Sequence, residues 1–384
     1  MKKRRMLVAV LTFVSLFCLT GCWDAKEIQH INYITALGID YEKNRFIVYA
    51  QMLDFTSVAK QEGGKPSGPA HVWVSKTSGI SINEAIDKLY QSAQQLIYYS
   101  HINAIIYSEN ALRNAGDVLF DLTNRYREIR YTKWAFGSRA PMEQLLSTIP
   151  FFNESPLSSV LHEPKETYRQ NSYIMPLQFQ RFISYYYEKG KTGYLPTLAL
   201  NRSTWKDNLK KHTLLEVNGS FFMDHQGRMK GFLSHEDLIG LRWFNPDTTR
   251  TPLFLTKNGK FVATIVLRKP RVTIEPAQNG GKLAFRVHIR LAGSVNELGQ
   301  TIAEAELREL AQKQVIKEIK ETYANGLKHQ IDLYQLGYSL YLHDPATWKT
   351  YFGPKQAFPL QANSLEPLTV TVAIENTGKY HSRK

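Results

Sequence analysis

Four consecutive cations, Lys2, Lys3, Arg4 and Arg5, precede an uncharged run from Met6 to Thr20, and this pairing constrains the rest of the chain more than any other feature. The run is 15 residues long, the length of a signal-peptide core and short of the ~18 that comfortably cross a bilayer. The chain is therefore expected to be exported and cut soon after Thr20. Of its two cysteines, Cys18 lies inside the discarded segment and Cys22 just beyond it. The exported body then carries one thiol and no internal disulfide, although it enters a compartment where disulfides persist. Buried apolar surface has to hold it together. With 384 residues, 43% of them hydrophobic, it has material for two or three cores and too much apolar content for disorder.

The residues around the expected cut, Leu19-Thr20-Gly21-Cys22, resemble the lipobox of bacterial lipoproteins. Small side chains let such a segment enter a narrow protease groove. The resemblance implies cleavage between Gly21 and Cys22, a diacylglycerol on the Cys22 sulfur and an N-acyl chain on the new amino end, with no other cofactor. One acyl chain binds a bilayer only marginally, and two hold stably. Removing Lys2, Lys3, Arg4 and Arg5 lowers the formal net charge from +14 to +10. A basic body of this kind either suits an anionic bilayer surface or serves solubility with no specific ligand, and export makes nucleic acid an unsuitable partner.

Just after Cys22 come Trp23-Asp24-Ala25-Lys26-Glu27-Ile28 and then Ile34-Thr35-Ala36-Leu37-Gly38-Ile39-Asp40. Farther on are Val217-Asn218-Gly219-Ser220-Phe221-Phe222, Met229-Lys230-Gly231-Phe232-Leu233 and Asp332-Leu333-Tyr334-Gln335-Leu336-Gly337. In order and spacing these segments resemble the Ger(x)C family, the lipoprotein C subunits of spore germinant receptors, and they span essentially the whole exported chain. Ser220-Phe221 departs from the family pattern, which bears only on local strand geometry. Trp23, Asp24, Glu27, Ile28, Gly38, Asp40, Gly219, Gly231, Asp332 and Gly337 are the motif positions carried over.

The residues themselves predict an α+β protein of more than one domain. Ile31–Ile39 and Phe46–Leu53 are β-rich segments separated by a hairpin connection at 40–44, and Gln61–Pro69 reads as a loop. Ser81 and Glu84 have capping-box spacing, followed by an apolar stripe of Ile82, Ala85, Ile86, Leu89, Ala93 and Leu96. Strands at Ile102–Tyr107 and Lys133–Phe136 flank a helix at Ala111–Thr123. From about 150 to 200 the pattern breaks around Phe151-Phe152 and Tyr185-Tyr186-Tyr187, which suggests a small subdomain, its aromatics either docking a partner or filling a second core. Residues 201–212 read as a linker between an N-terminal α/β region, 22–200, and a C-terminal α+β domain, 213–384.

In that second domain Phe285, Val287, Ile289 and Leu291 alternate with Arg286, His288 and Arg290, and Leu368, Val370, Val372 and Ile374 alternate with small residues. This predicts antiparallel strands with one buried face, and Asn279-Gly280 suits a hairpin turn. One long helix over Thr301–Ala324 is placed to cover that face with Leu307, Leu310, Ala311, Val315 and Ile319. Glu304/Arg308 and Glu309/Lys313 pair along its outer side, and Gly326 is placed to end it.

Chemistry is sparse. The sequence holds no Gly-rich phosphate loop, no G-x-S-x-G, no H-E-x-x-H and no C-x-x-C, and its 11 histidines are scattered. His235-Glu236-Asp237 follows Ser234 and reads better as a capped turn than as a catalytic cluster. No metal site and no enzymatic activity are expected. The family resemblance implies a spore germination lipoprotein on the extracytoplasmic face of the cell membrane or spore inner membrane. Its partners would be two integral membrane receptor subunits and the lipid bilayer, and direct germinant binding stays open. The alternative is a solute-binding lipoprotein of a transporter, and a peptidoglycan hydrolase is a distant third reading.

Overall fold

Antiparallel hairpins at the edges and parallel crossovers in the middle build the first sheet. The computed structural model describes residues 3–6, 31–53, 71–125, 131–224, 227–279, 282–353 and 356–376. Strand β1 (Ile31–Glu42) turns back into β2 (Arg45–Leu53) through Lys43 and Asn44. Both residues have positive φ, 48° and 58°, as a two-residue turn matching the strand twist requires. The loop expected at 61–69 lies outside the described residues. After β3 (Val72–Gly79), Ser81 caps α1 (Ile82–Ser92) by accepting the Glu84 N–H at 3.1 Å, while the Glu84 carboxylate accepts from the Ile80 N–H at 2.6 Å. Ile82, Ala85, Ile86 and Leu89 are buried as expected. The stripe stops there, because Ala93 is the C-cap and Leu96 opens the short strand β4 (Leu96–Tyr98) with its side chain half exposed.

The alternation continues through β5 (Ala104–Ser108), α2 (Glu109–Arg125), β6 (Trp134–Ser138), α3 (Met142–Leu146), α4 (Pro164–Gln170), β7 (Leu177–Gln178) and α5 (Phe179–Tyr187). Then come three longer strands, β8 (Gly193–Asp207), β9 (Lys210–Met223) and β10 (Met229–Ser234). The sheet order is β10-β9-β8-β6-β5-β1-β2-β3, with β4 beside β1 and β7 beside β6. Neighbours among β1, β5, β6 and β8 are parallel, and the hairpins at both edges are antiparallel. Burial on both faces follows from this mixed topology. On one face Ile82, Leu89, Leu112, Leu119, Phe179 and Phe182 pack on Leu37, Ile39 and Ile105. On the other, Met142, Leu145 and Leu146 pack on Ala36, Ile106 and Phe136.

The segment expected as a separate subdomain at 150–200 is therefore woven into the first domain. Phe179, Phe182, Tyr185 and Tyr186 belong to its core or pack against it, whereas Phe152 and Tyr187 are exposed. The linker expected at 201–212 is corrected more sharply. Those residues are the far end of the β8–β9 hairpin, paired Trp205 to His212 and Asp207 to Lys210 and closed by Asn208-Leu209. Polar composition marked a surface segment, but the hydrogen-bonded ladder satisfies its backbone. The first sheet thus runs through Ser234, beyond the expected boundary at 213.

The second sheet contains β11 (Thr251–Lys257), β12 (Lys260–Asn279), β13 (Lys282–Leu298) and β14 (Leu368–Asn376), in that order. The β12–β13 register pairs Asn279 with Lys282, so residues 280–281, which lie outside the described residues, connect them. Phe285, Val287, Ile289 and Leu291 are buried, while Arg286 and Arg290 are exposed. The first three strands are antiparallel, as expected; β14 runs parallel to β13. A long connection containing α6 (Glu304–Lys328) makes this possible, since parallel neighbours need a crossover rather than a tight turn. Helix α6 buries Leu307, Ala311, Val315 and Ile319, with Leu310 partly buried, and carries the Glu304–Arg308 and Glu309–Lys313 pairs at 3.5 and 2.5 Å. Gly326 does not end the helix. It sits inside the last turns, where a Cβ would lie 2.7 Å from the Ile331 carbonyl, so its role is close approach of the returning chain. Helices α7 (Leu336–His343) and α8 (Pro345–Phe352) complete this half.

Candidate functional site

Gly21, Cys22, Trp23, Asp24, Glu27 and Ile28, which include the expected cleavage and lipid-attachment positions, lie outside the described residues. The other motif residues sit at four structural joints rather than in one pocket. Gly38 on β1 leaves room for Met142, whose Cγ would be 2.4 Å from an added Cβ. Asp40 accepts from the Tyr41 N–H at 2.8 Å and from the Ser108 hydroxyl, and Ser108 Oγ accepts the Ala111 N–H at 3.0 Å near the start of α2. One carboxylate thereby ties two strand ends to a helix start. Gly219 allows β10 to approach β9, since its Cβ would lie 2.3 Å from the Leu233 carbonyl oxygen. Gly231 lies on the paired strand, where an added Cβ would make ordinary contact with His329 Nδ1 at 3.8 Å.

Asp332 and Gly337 are brought together. The Asp332 carboxylate accepts the Leu336 and Gly337 N–H groups at 3.0 and 2.6 Å, capping α7 from a buried position. Gly337 is also where Phe352 closes in, 2.9 Å from a built Cβ. Burial pushes the Asp332 carboxyl up to about 6, against the pull of its backbone donors. A carboxyl whose folded pKa exceeds its unfolded value binds protons preferentially in the folded state. Its contribution to stability is therefore greatest below about pH 4 and falls as pH rises to 6, by up to about 3 kcal/mol. Urea midpoints measured from pH 4 to 7 should lose that component in Asp332→Asn. An unchanged pH profile in this variant would contradict the assignment.

The His235 cluster resolves as a turn. Ser234 Oγ donates to Asp237 Oδ2 at 2.7 Å and accepts the Asp237 N–H at 3.2 Å, opening a 3₁₀ turn at Ile239–Trp243. His235 packs edge-on to Tyr173, ring centroids 4.3 Å apart, and burial, followed by the Arg242 charge, lowers its pKa. Among the described residues no group of three or more His, Cys, Asp or Glu could hold a metal ion.

Sequence reasoning missed two features because their residues come from distant segments. The first is a buried ion pair: Arg242, 2% exposed, meets Glu318 of α6 at 2.8 Å, and Trp243 Nε1 donates to the same carboxylate oxygen at 2.8 Å. The guanidinium also lies over the Tyr173 ring at 4.6 Å, linking the second core to the first domain. The second is a cavity of about 620 Å³ where the two halves meet. Tyr185, Tyr194, Phe222 and Phe244 contribute walls, Lys191 and Arg271 contribute cations, and among the described residues no carboxylate lines it. Lys191 lies 4.5 and 4.3 Å from the rings of Tyr185 and Tyr338, and its pKa is lowered by burial. Gln335 holds the edge by exchanging both hydrogen bonds with the Thr192 backbone, at 2.9 and 2.8 Å. The aromatic run at 185–187, Phe222 and the Leu333-Tyr334-Gln335 segment had each stood out in the sequence, but nothing there brought them together.

Comparison with known proteins also divides the chain in two, but the second match begins within β9 rather than at the end of the first sheet. Residues 24–200 match the spore germination protein N-terminal domain, and residues 218–378 match the spore germination B3/GerAC-like C-terminal domain. Spore germination protein KC of Bacillus subtilis (strain 168) is 22% identical over 90% of this chain and 89% of its own length. Spore germination protein B3 of the same organism is 23% identical over 74% of this chain and 73% of its own. The crystal structure of the GerBC protein shares the fold with a TM-score of 0.52 at 14% identity, covering 89% of this chain and 96% of that one. With both domain models matched in order along nearly its whole length, the chain belongs to the Ger(x)C family of spore germination proteins.

Proposed function

We propose that the protein is the lipid-anchored subunit of a spore nutrient germinant receptor and acts by contact with other subunits rather than by catalysis. The observation that carries this reading is the position of the two matched domains, 24–200 and 218–378, immediately behind Leu19-Thr20-Gly21-Cys22. The motif residues that the structure describes support turns and close approaches, which fits a docking body better than a catalytic centre. Among the described residues no helix is long and apolar enough to cross a membrane. In this reading attachment is through Cys22, by a diacylglycerol and an N-acyl chain, on the extracytoplasmic face of the cell membrane or spore inner membrane. Two integral membrane subunits would be the protein partners. The tether raises the local concentration of the body beside them without any new contact.

Cys22→Ala tests the tether. The thiol joins no disulfide, so the body should fold, yet its membrane-bound fraction should fall at least tenfold and nutrient-triggered germination should fall with it. Full retention of an acylated Cys22→Ala protein would place the attachment elsewhere.

The cavity between the halves favours a second reading, a solute-binding lipoprotein, because it is large enough for a small ligand. Calorimetry of the purified protein with single amino acids and sugars separates the two. Saturable binding at nutrient concentrations supports the second reading, and its absence supports a subunit that only docks.

A further inference from the structure

The far end of the β8–β9 hairpin exposes apolar side chains that a soluble surface does not require. Leu209 is 90% exposed and sits in the closing turn at φ 68°. A non-glycine residue is costly there, and glycine is the usual occupant of such a turn. Trp205, three rungs back, is 50% exposed and meets Phe151 edge-on at 4.8 Å. Phe152 follows, 92% exposed and likewise at positive φ, 57°. Two separate backbone turns in sterically unfavourable conformations thus hold an apolar residue out in solvent, around one aromatic cluster.

The polar residues on this tip are mainly cations. Arg202, Lys206, Lys210 and Lys211 are exposed, with Asp207 as the acid in the hairpin end. None of the three lysines forms an ion pair among the described residues. Aromatic and leucine side chains flanked by lysines are the composition of a bilayer interface, where rings sit at headgroup level and lysine stems reach back to phosphate. The stretch from Trp205 to the turn spans about 10 Å, comparable to the ~5–10 Å depth of interfacial insertion.

We infer that this hairpin end, together with Phe151-Phe152, inserts into the headgroup region of an anionic bilayer and fixes the orientation of the body on the membrane. The inference rests on the proposed membrane residence and adds to it a second, non-covalent contact. The test mixes the full chain with vesicles whose lipids carry bromine in their acyl chains. Flotation reports residence, and the wild-type minus Trp205→Phe fluorescence difference reports the tip.

In brominated phosphatidylglycerol vesicles the difference signal should fall at least twofold, and in brominated phosphatidylcholine it should change little. Leu209→Ser should restore at least half of the lost signal without moving the urea midpoint, since that side chain packs against almost nothing. A protein that floats with phosphatidylglycerol while its difference signal stays unquenched is tethered with a dry tip, which overturns the inference and leaves the tether standing. A protein that does not float overturns both. Protection of Trp205 that appears only after other spore membrane proteins are added assigns the tip to a protein partner and also overturns it.

Discussion

Glu318→Ala should destabilise the C-terminal half by about 3–5 kcal/mol, the usual cost of stranding one member of a buried ion pair. Arg242 is 2% exposed, and its Nε and Nη1 already lack hydrogen-bond partners, so its charge has no route to water when the carboxylate is removed. The same carboxylate accepts from Trp243 at 2.8 Å and, through its other oxygen, from Gln314 at 3.2 Å, so three donors lose their acceptor together. Replacing both charges by apolar residues, Arg242→Met with Glu318→Leu, should recover most of the loss, because neither desolvated charge then remains. Urea unfolding followed by Trp243 fluorescence measures both variants. Equal destabilisation of the single and double variants would show that packing, not charge, dominates here.

Phe221→Ala should cost about 3–5 kcal/mol by leaving a large void. Phe221 is fully buried in the first core, and its ring edge lies where a Cβ on Gly137 would be, 2.3 Å from Cδ2. Strand β6 therefore has to carry glycine opposite that ring. Gly137→Ala alone should cost about 1–3 kcal/mol by overpacking. Combined with Phe221→Ala, the new methyl enters vacated space, and the double variant should be more stable than the sum of the two losses by about 1 kcal/mol or more. Strict additivity in urea unfolding would mean that the ring and the glycine do not define one packing site.

Phe221 thus marks a specific packing contact between β9 and β6. Ser220 is fully buried beside it, paired in register with Pro196 and Leu233. No sequence signal connects position 137 with position 221. Each residue alone reads as an ordinary strand element.

Much of the fold was legible because periodicity reports burial directly. The stripe of α1, the alternation of β13 and the covering face of α6 all follow from which side chains must leave water. Direction and boundary were less legible. Alternation in Leu368–Ile374 shows that one face is buried but carries no information on whether the partner runs parallel, and the long α6 crossover decided that. The polar run at 201–212 has the composition of a linker, yet cross-strand hydrogen bonding makes it a hairpin. Gly326 had the position of a helix end, but close approach of Ile331 and Leu333 gave glycine a different use.

The functional features divide along the same line. Asp332-Leu333-Tyr334-Gln335-Leu336-Gly337 stood out as a motif, and the structure explains its acid and its glycine as a cap and a contact point for α7. The cavity between the halves was not legible as a site, because its walls come from segments as far apart as Tyr173 and Gln335. The Arg242–Glu318 pair was hidden in the same way, its members separated by 76 positions. Contacts of this range depend on how two sheets meet, which local pattern does not encode.

Membership in a germination family still leaves open whether the body works in company. Affinity purification through a tag at Lys384, from detergent-solubilised spore membranes, tests that point directly. Two polytopic membrane proteins should elute with the chain in constant proportion. Elution of the intact, acylated chain by itself, under conditions that preserve other membrane complexes, would contradict the account.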